Sequence, residues 1–115
     1  MVKLWVKKVL FVCSANMQRS PTAEELLRGK TGFEVLSAGV SPFAQRSISS
    51  ELIDWADHIF VMEEEHREPI LTLRPNAENK ITVLHIPDIY SRNDPILVQL
   101  LKIRLSKYLH IEWDT

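Results

Sequence analysis

One cysteine, Cys13, stands in the whole chain of 115 residues. A lone cysteine excludes an internal disulfide and any cysteine-rich metal site. Long apolar runs are also missing: nothing approaches the roughly 20 consecutive apolar residues that a membrane span needs. Charge of one sign is missing too. The net charge is −1, from 14 Lys and Arg against 15 Asp and Glu, which excludes the basic surface of a general nucleic-acid binder. Residues 1–8 are basic and partly apolar. They lack the separate apolar core and small-residue cleavage site of a secretion signal, so the expected compartment is the cytoplasm. His66 sits beside several carboxylates but has neither liganding spacing nor a second histidine, so no metal or other cofactor is expected.

Against these absences, 45% hydrophobic and 25% charged residues are ordinary for a soluble globular protein. The length suits one domain across residues 1–115.

The chain is organised around residues 9–24. Val9-Leu10-Phe11-Val12 runs straight into Cys13. Ser14-Ala15-Asn16-Met17-Gln18 follows, then Arg19, then Ser20-Pro21. The order reads as a buried strand, a tight loop and a helix start, with Ser20 as the cap and Pro21 in the first turn. Such a loop turns successive backbone N–H groups toward one point at the positive end of a helix, a seat for a phosphate-sized anion. Cysteine is the side chain most easily made a nucleophile by that field. Arginine is the planar fork that grips two oxygens at once. The pattern therefore points to covalent phosphatase chemistry. The plainer alternative is an inert cysteine ending a core strand.

The remaining chain alternates strands and helices. Residues 22–30 form a short amphipathic helix stopped by Gly29 or Gly32. Phe33-Glu34-Val35-Leu36 is a strand ended by Ser37-Ala38-Gly39. Residues 40–46 are loop-like and carry Phe43, either packed down or part of a substrate wall. Ser49 or Ser50 caps a helix over 51–55, and 58–62 is the third strand, with His58 as a strand-edge residue whose ring is satisfied. Residues 63–68 read as a solvated charged helix face, residues 72–80 as loop, and 81–86 as the fourth strand. Asp94-Pro95 opens a last helix to about residue 110, with Leu97, Leu101, Leu105 and Leu109 on its core side. Four strands alternating with helices give an α/β fold, a three-layer α/β/α sandwich around a parallel sheet.

Four stretches in order resemble the low-molecular-weight protein tyrosine phosphatases: Cys13 to Arg19 with Ser20-Pro21-Thr22-Ala23-Glu24; Val35-Leu36-Ser37-Ala38-Gly39; Ala56-Asp57 with Ile59-Phe60-Val61-Met62-Glu63; and Ile86-Pro87-Asp88-Ile89-Tyr90. The pattern is similar to a short bacterial branch of predicted tyrosine phosphatases. The resemblance implies the phosphotyrosine phosphatase I-like fold with strand order 2-1-3-4. It implies catalytic Cys13, Arg19 and Asp88, and a phosphate seat of Ser14, Ala15, Asn16, Met17, Gln18 and Arg19. Asn16, Ser20 and Ser37 would brace that seat, and Phe43 and Tyr90 would form the substrate wall. Three positions depart from the family. Ala15 replaces a loop glycine, which disfavours a left-handed backbone there. Gln18 replaces the second cysteine of the eukaryotic enzymes. Ile89 replaces the proline after the acid. The chain is also some tens of residues shorter than typical members, much of the deficit falling after Gly39.

The implied reaction runs through a phosphocysteine intermediate without metal or cofactor, with Asp88 as general acid. The expected substrate is a phosphotyrosine protein or a small aryl phosphate, and the product inorganic phosphate. No nucleic acid or membrane partner is expected, and the chain is expected to be a monomer or weak dimer. Arsenate reduction with an external thiol and a non-enzymatic phosphoprotein-binding module are the alternatives.

Overall fold

The computed structural model describes residues 6–113. Residues 1–5, part of the basic and partly apolar stretch at the start of the chain, lie outside it. The elements follow as β1 Lys7–Cys13, α1 Arg19–Leu27, β2 Phe33–Gly39, α2 Ser50–Trp55, β3 His58–Val61, α3 Arg67–Leu73, β4 Ile81–Val83 and α4 Pro95–Leu105. Two 3-10 segments, Glu64–His66 and Pro75–Lys80, lead into α3 and β4. The strands form one parallel sheet in the order β2-β1-β3-β4.

The unbroken apolar run of β1 follows from its place inside the sheet, covered on both faces. Val9, Phe11 and Cys13 face one core with Ala23 and Leu27 of α1 and Leu97, Leu101 and Leu105 of α4. Leu10 and Val12 face the other, with Ile53 of α2, Ile70 of α3 and Ala77. Phe11 and Phe60 stack at 5.7 Å across the β1–β3 pair. Helices on both faces make the three layers that the strand–helix alternation predicts.

Several boundaries move. Helix α1 begins at Arg19, not Thr22, and its N-cap is Gln18 with no side-chain cap bond. Ser20 is therefore inside the helix, and its hydroxyl serves other partners described below. The stop is as expected, with Gly29 at φ 86 just past the C-cap Arg28. Strand β2 runs on to Gly39, because Cys13 pairs with Gly39 in register. Strand β4 stops at Val83, not at 86. His85 takes φ 58, yet the N–H groups of Leu84 and Ile86 still reach the carbonyls of Val61 and Met62. Residues 72–80 are not loop: α3 runs to Leu73 and Pro75 opens the second 3-10 segment. Lys80 there donates to the carbonyls of Ile53 and Ala56 at 2.6 and 2.7 Å, closing the C-terminal end of α2. Helix α4 ends at Leu105, with Asp94 capping it through Ile96 N–H at 2.8 Å. No helix among the described residues is long and apolar enough to cross a membrane.

The order places Cys13 beside the point where the chain reverses from β2 to β3, at the carboxyl rim where ligands of open α/β sheets sit.

His58, half-buried, stacks on Phe60 at 4.0 Å and shares a hydrogen bond with Thr82 Oγ1 at 2.8 Å. Burial, and then the charge of Lys7, push its pKa down to about 4. The unfolded chain binds the proton first, near the ordinary value of 6.5. Stability from the neutral ring is thus full above that value and is lost as pH falls from about 6.5 toward about 4. Urea midpoints should drop between pH 7 and pH 5, and the drop should be smaller in His58→Phe. An equal drop in both proteins would assign the pH dependence elsewhere.

Candidate active site

The loop after β1 is held from outside by its own carbonyls. Those of Cys13, Ser14 and Ala15 accept the N–H groups of Val40, Ser41 and Gln45 at 3.0, 2.9 and 3.2 Å. Residues 40–46, which show no period in the sequence, form this outer brace. Among the described residues, no amide of residues 14–19 donates to a protein carbonyl. Amides without a carbonyl partner are what a phosphate seat requires.

The left-handed residue in the loop is Asn16, at φ 56, while Ala15 stays out of that region. Asparagine tolerates this conformation better than most residues, so the replaced glycine leaves a feasible path. The Asn16 side chain is buried and donates to Ser20 Oγ and Ser37 Oγ, both at 2.9 Å. Ser37 in turn donates to Glu24. Ser20 Oγ, already accepting from Asn16, lies 3.0 Å from Cys13 Sγ and 3.4 Å from the Ala38 carbonyl, so a thiolate at Cys13 is the nearer acceptor for its proton. The three residues assigned a bracing role are thus joined in one network.

Gly39 is required by close approach. A Cβ there would fall 2.7 Å from Ser14 O, 2.9 Å from Ala15 C and 2.7 Å from Ala44 Cβ.

Arg19 is 1% exposed. Its Nη1 donates to Glu63 Oε1 at 2.5 Å and to Ile86 O at 2.8 Å. Both Nη1 protons are then used, which leaves the Nε–Nη2 edge turned to the cavity. On that edge Asp88 Oδ1 lies 3.7 Å from Nε, and Ser14 Oγ lies 3.4 Å from Nη2. Cys13, Ser14, Ala15, Met17, Gln18, Arg19 and Asp88 line a cavity of about 200 Å³. Asp88 is 58% exposed at its mouth. Asp94, the other acid of this region, is engaged as the α4 cap.

The two expected wall residues do not line this cavity. Phe43 is 93% exposed, and Tyr90 packs against the core shared by β1 and α4. The large apolar side chain lining the cavity is Met17, 53% exposed.

Glu63 and His66 correct the reading of residues 63–68 as a solvated face. Glu64, Glu65 and Glu68 are exposed, but Glu63 holds Arg19. His66 is 0% exposed, with Ser14 Oγ 3.0 Å from its Nε2 and the Glu63 backbone N–H 3.0 Å from its Nδ1. Burial, and next the Arg19 guanidinium, hold its imidazole below the ordinary histidine value, against the raising effect of Glu63, Glu65 and Asp88. The available signal was position, since Glu63 stands just past the carboxyl end of β3, on the rim where site residues gather.

No family model matches the chain. A protein-arginine-phosphatase from Geobacillus stearothermophilus is 35% identical over 101 residues, covering 67% of this chain and 68% of the relative. Among solved structures, the YwlE arginine phosphatase of the same organism superposes with a TM-score of 0.69 at 28% identity, over 90% of this chain and 93% of that one. The tyrosine phosphatase Wzb from Escherichia coli K30, solved with phosphate, superposes with a TM-score of 0.72 at 27% identity, over 90% of this chain and 96% of that one.

Gly39→Ala should push the loop backbone, because Ser14 O and Ala15 C cannot swing away as a side-chain tip can. The expected cost is about 1–3 kcal/mol of stability, with weakened vanadate binding. Thermal melts and vanadate titration check it, and wild-type values in both would show that the contact relaxes freely.

Proposed function

The chain belongs to the low-molecular-weight protein tyrosine phosphatase family, and from that premise we propose that Cys13 is its nucleophile, Arg19 its phosphoryl clamp and Asp88 its general acid. One observation carries this reading. Cys13, the loop of unused amides, the outward Nε–Nη2 edge of Arg19 and the Asp88 carboxylate share one small cavity.

In the first step the Cys13 thiolate attacks phosphorus. The P–S bond forms as the bond to the leaving group breaks, and Asp88 gives its proton to the leaving atom. The amides of residues 14–19 and the Arg19 edge take the negative charge that builds on the three equatorial oxygens. In the second step Asp88 takes a proton from water, whose oxygen attacks phosphorus. The P–S bond breaks, the thiolate returns and inorganic phosphate leaves. Arginine and amides supply the charge stabilisation, so the scheme needs no metal.

The substrate class that fits is a phosphotyrosine protein or a small aryl phosphate. The cavity admits a phosphoryl group and leaves the rest of the substrate across the mouth, where the Met17 thioether offers a sulfur–aromatic contact. Phosphoarginine is the second reading. It is favoured by the arginine phosphatase relative and by the carboxylate at the mouth, which would pair with a guanidinium as readily as it would protonate an oxygen. Neither arsenate reduction nor bare phosphoprotein binding has a comparable observation behind it.

Wild-type protein should hydrolyse nitrophenyl phosphate and a phosphotyrosine peptide at rates unaffected by chelator. Cys13→Ser should abolish turnover while retaining phosphate binding. A phosphoarginine peptide turned over faster than the phosphotyrosine peptide would select the second substrate reading. Turnover persisting in Cys13→Ser would sink the mechanism.

The acid is tested by leaving group. Asp88→Asn should slow hydrolysis of a poor alkyl or phenyl phosphate by roughly 100-fold or more, and activated nitrophenyl phosphate much less. Asp94→Asn should change neither ratio, because asparagine still caps α4. If the Asp94 variant alone shows the leaving-group penalty, the acid is misassigned.

A further inference from the structure

Ser14 and His66 form a pair that the proposed chemistry does not use. Ser14 Oγ lies 3.0 Å from His66 Nε2, and Ser14 lines the cavity. At first sight this is a serine nucleophile with its base. The polarity runs the other way. The Glu63 backbone N–H, 3.0 Å from His66 Nδ1, can only donate. Nδ1 therefore presents its lone pair, and a neutral ring carries its proton on Nε2. Nε2–H then donates to Ser14 Oγ, so His66 is in no state to accept a proton from it. Ser14 Oγ also faces Arg19 Nη2 at 3.4 Å, a second and weaker donor. With both lone pairs of the oxygen engaged, the Ser14 hydroxyl proton has no acceptor among the described residues. The side left to it is the cavity. The His66 ring is 0% exposed, so water does not compete for either nitrogen.

We propose that His66 is a positioning residue: held in one tautomer by the Glu63 amide, it aims the Ser14 hydroxyl into the anion seat, where Ser14 donates a hydrogen bond to the transferring phosphoryl group. This rests on the phosphatase reading above. The hydroxyl adds a side-chain donor to the ring of amides without adding charge. Its donation strengthens as charge builds on the phosphoryl oxygens, so it acts on kcat more than on KM. The alternative route for any His66 effect is through Glu63, whose carboxylate holds Arg19. The experiment separates the two routes.

Ser14→Ala should lower kcat on the order of tenfold, with KM nearly unchanged. His66→Phe, which removes both ring contacts, should do the same. The double variant should be no slower than Ser14→Ala alone, since His66 acts through that hydroxyl. His66→Gln carries one acceptor and one donor, as the required tautomer does, and should recover part of the rate only when Ser14 is present. Long-range nitrogen–proton NMR correlation on the wild-type protein at pH 7 should show His66 protonated at Nε2 and bare at Nδ1. An unchanged kcat in Ser14→Ala, losses that multiply in the double variant, or a proton on Nδ1 each overturns the proposal. The Ser14→Ala and NMR measurements decide the matter even if His66→Phe fails to fold. Failure of these with a Cys13-dependent enzyme overturns this inference alone, whereas turnover in Cys13→Ser overturns the phosphatase reading beneath it.

Discussion

A guanidinium buried to 1% exposure is the constraint on which this site depends. Desolvating a cation costs several kcal/mol unless good geometry and full hydrogen bonding offset it. Arg19 is reached by three separate parts of the chain. Glu63 comes from the end of β3, Ile86 O from the segment beyond β4, and Asp88 from the turn after that. Each lies at the carboxyl rim of the parallel sheet, so the strand order 2-1-3-4 is what brings them to one side chain. Without Glu63 the cation would keep only the exposed Asp88, 3.7 Å from Nε, as a carboxylate partner. The pair is therefore better understood as fixing the clamp's orientation than as a source of stability. Glu63 and the Ile86 carbonyl together take both Nη1 protons, which decides which edge of the fork faces the cavity.

The anion seat is correspondingly short of net positive charge. Glu63 offsets Arg19, and a second carboxylate, Asp88, stands at the mouth. A phosphoryl dianion entering here meets backbone amides whose carbonyls are tied to residues 40–45, a left-handed Asn16, and a serine network on the thiol. Stabilisation from such fixed dipoles costs no reorganisation at the moment of reaction. It also depends on backbone path more than on charge, which gives Gly39 its importance: β2 and the loop it supports leave no room for a single methyl group between them.

The sequence displayed the parts of this arrangement that local pattern controls. The apolar run of β1, the leucine spacing of α4 and the Asp94-Pro95 start all appear in the structure as the pattern implies, and so does the strand order that the family resemblance supplied. Ser20 shows where local rules stop. A serine before a proline at a helix start reads as a cap, but the helix starts earlier, its N-cap Gln18 makes no side-chain cap bond, and the Ser20 hydroxyl turns to Cys13 instead. Glu63 and His66 were hidden inside a charge run because nothing local distinguishes a carboxylate facing water from one facing Arg19. Only the sheet register carries that information. Tyr90 was legible as an aromatic near the acid, but the fold spends it on the core.

The division between chemistry and selectivity follows from the same geometry. On the proposed mechanism the groups that grip the phosphoryl group are backbone amides, the buried Arg19 and the half-buried Ser14, whereas the exposed side chains lining the cavity are Met17, Gln18 and Asp88. The first set is bound into the core of the domain by β1, β3 and Gly39 and tolerates little change. The second set is attached to the surface by one residue each. The Met17 thioether offers apolar contact without a closed shape, and Phe43 stands clear of the cavity. On that mechanism such a mouth distinguishes leaving groups mainly by their need for a proton from Asp88 and by their apolar area against Met17. On the proposed mechanism Met17 is the residue of this set that can alter selectivity among leaving groups without touching phosphoryl transfer, because Asp88 is also the general acid.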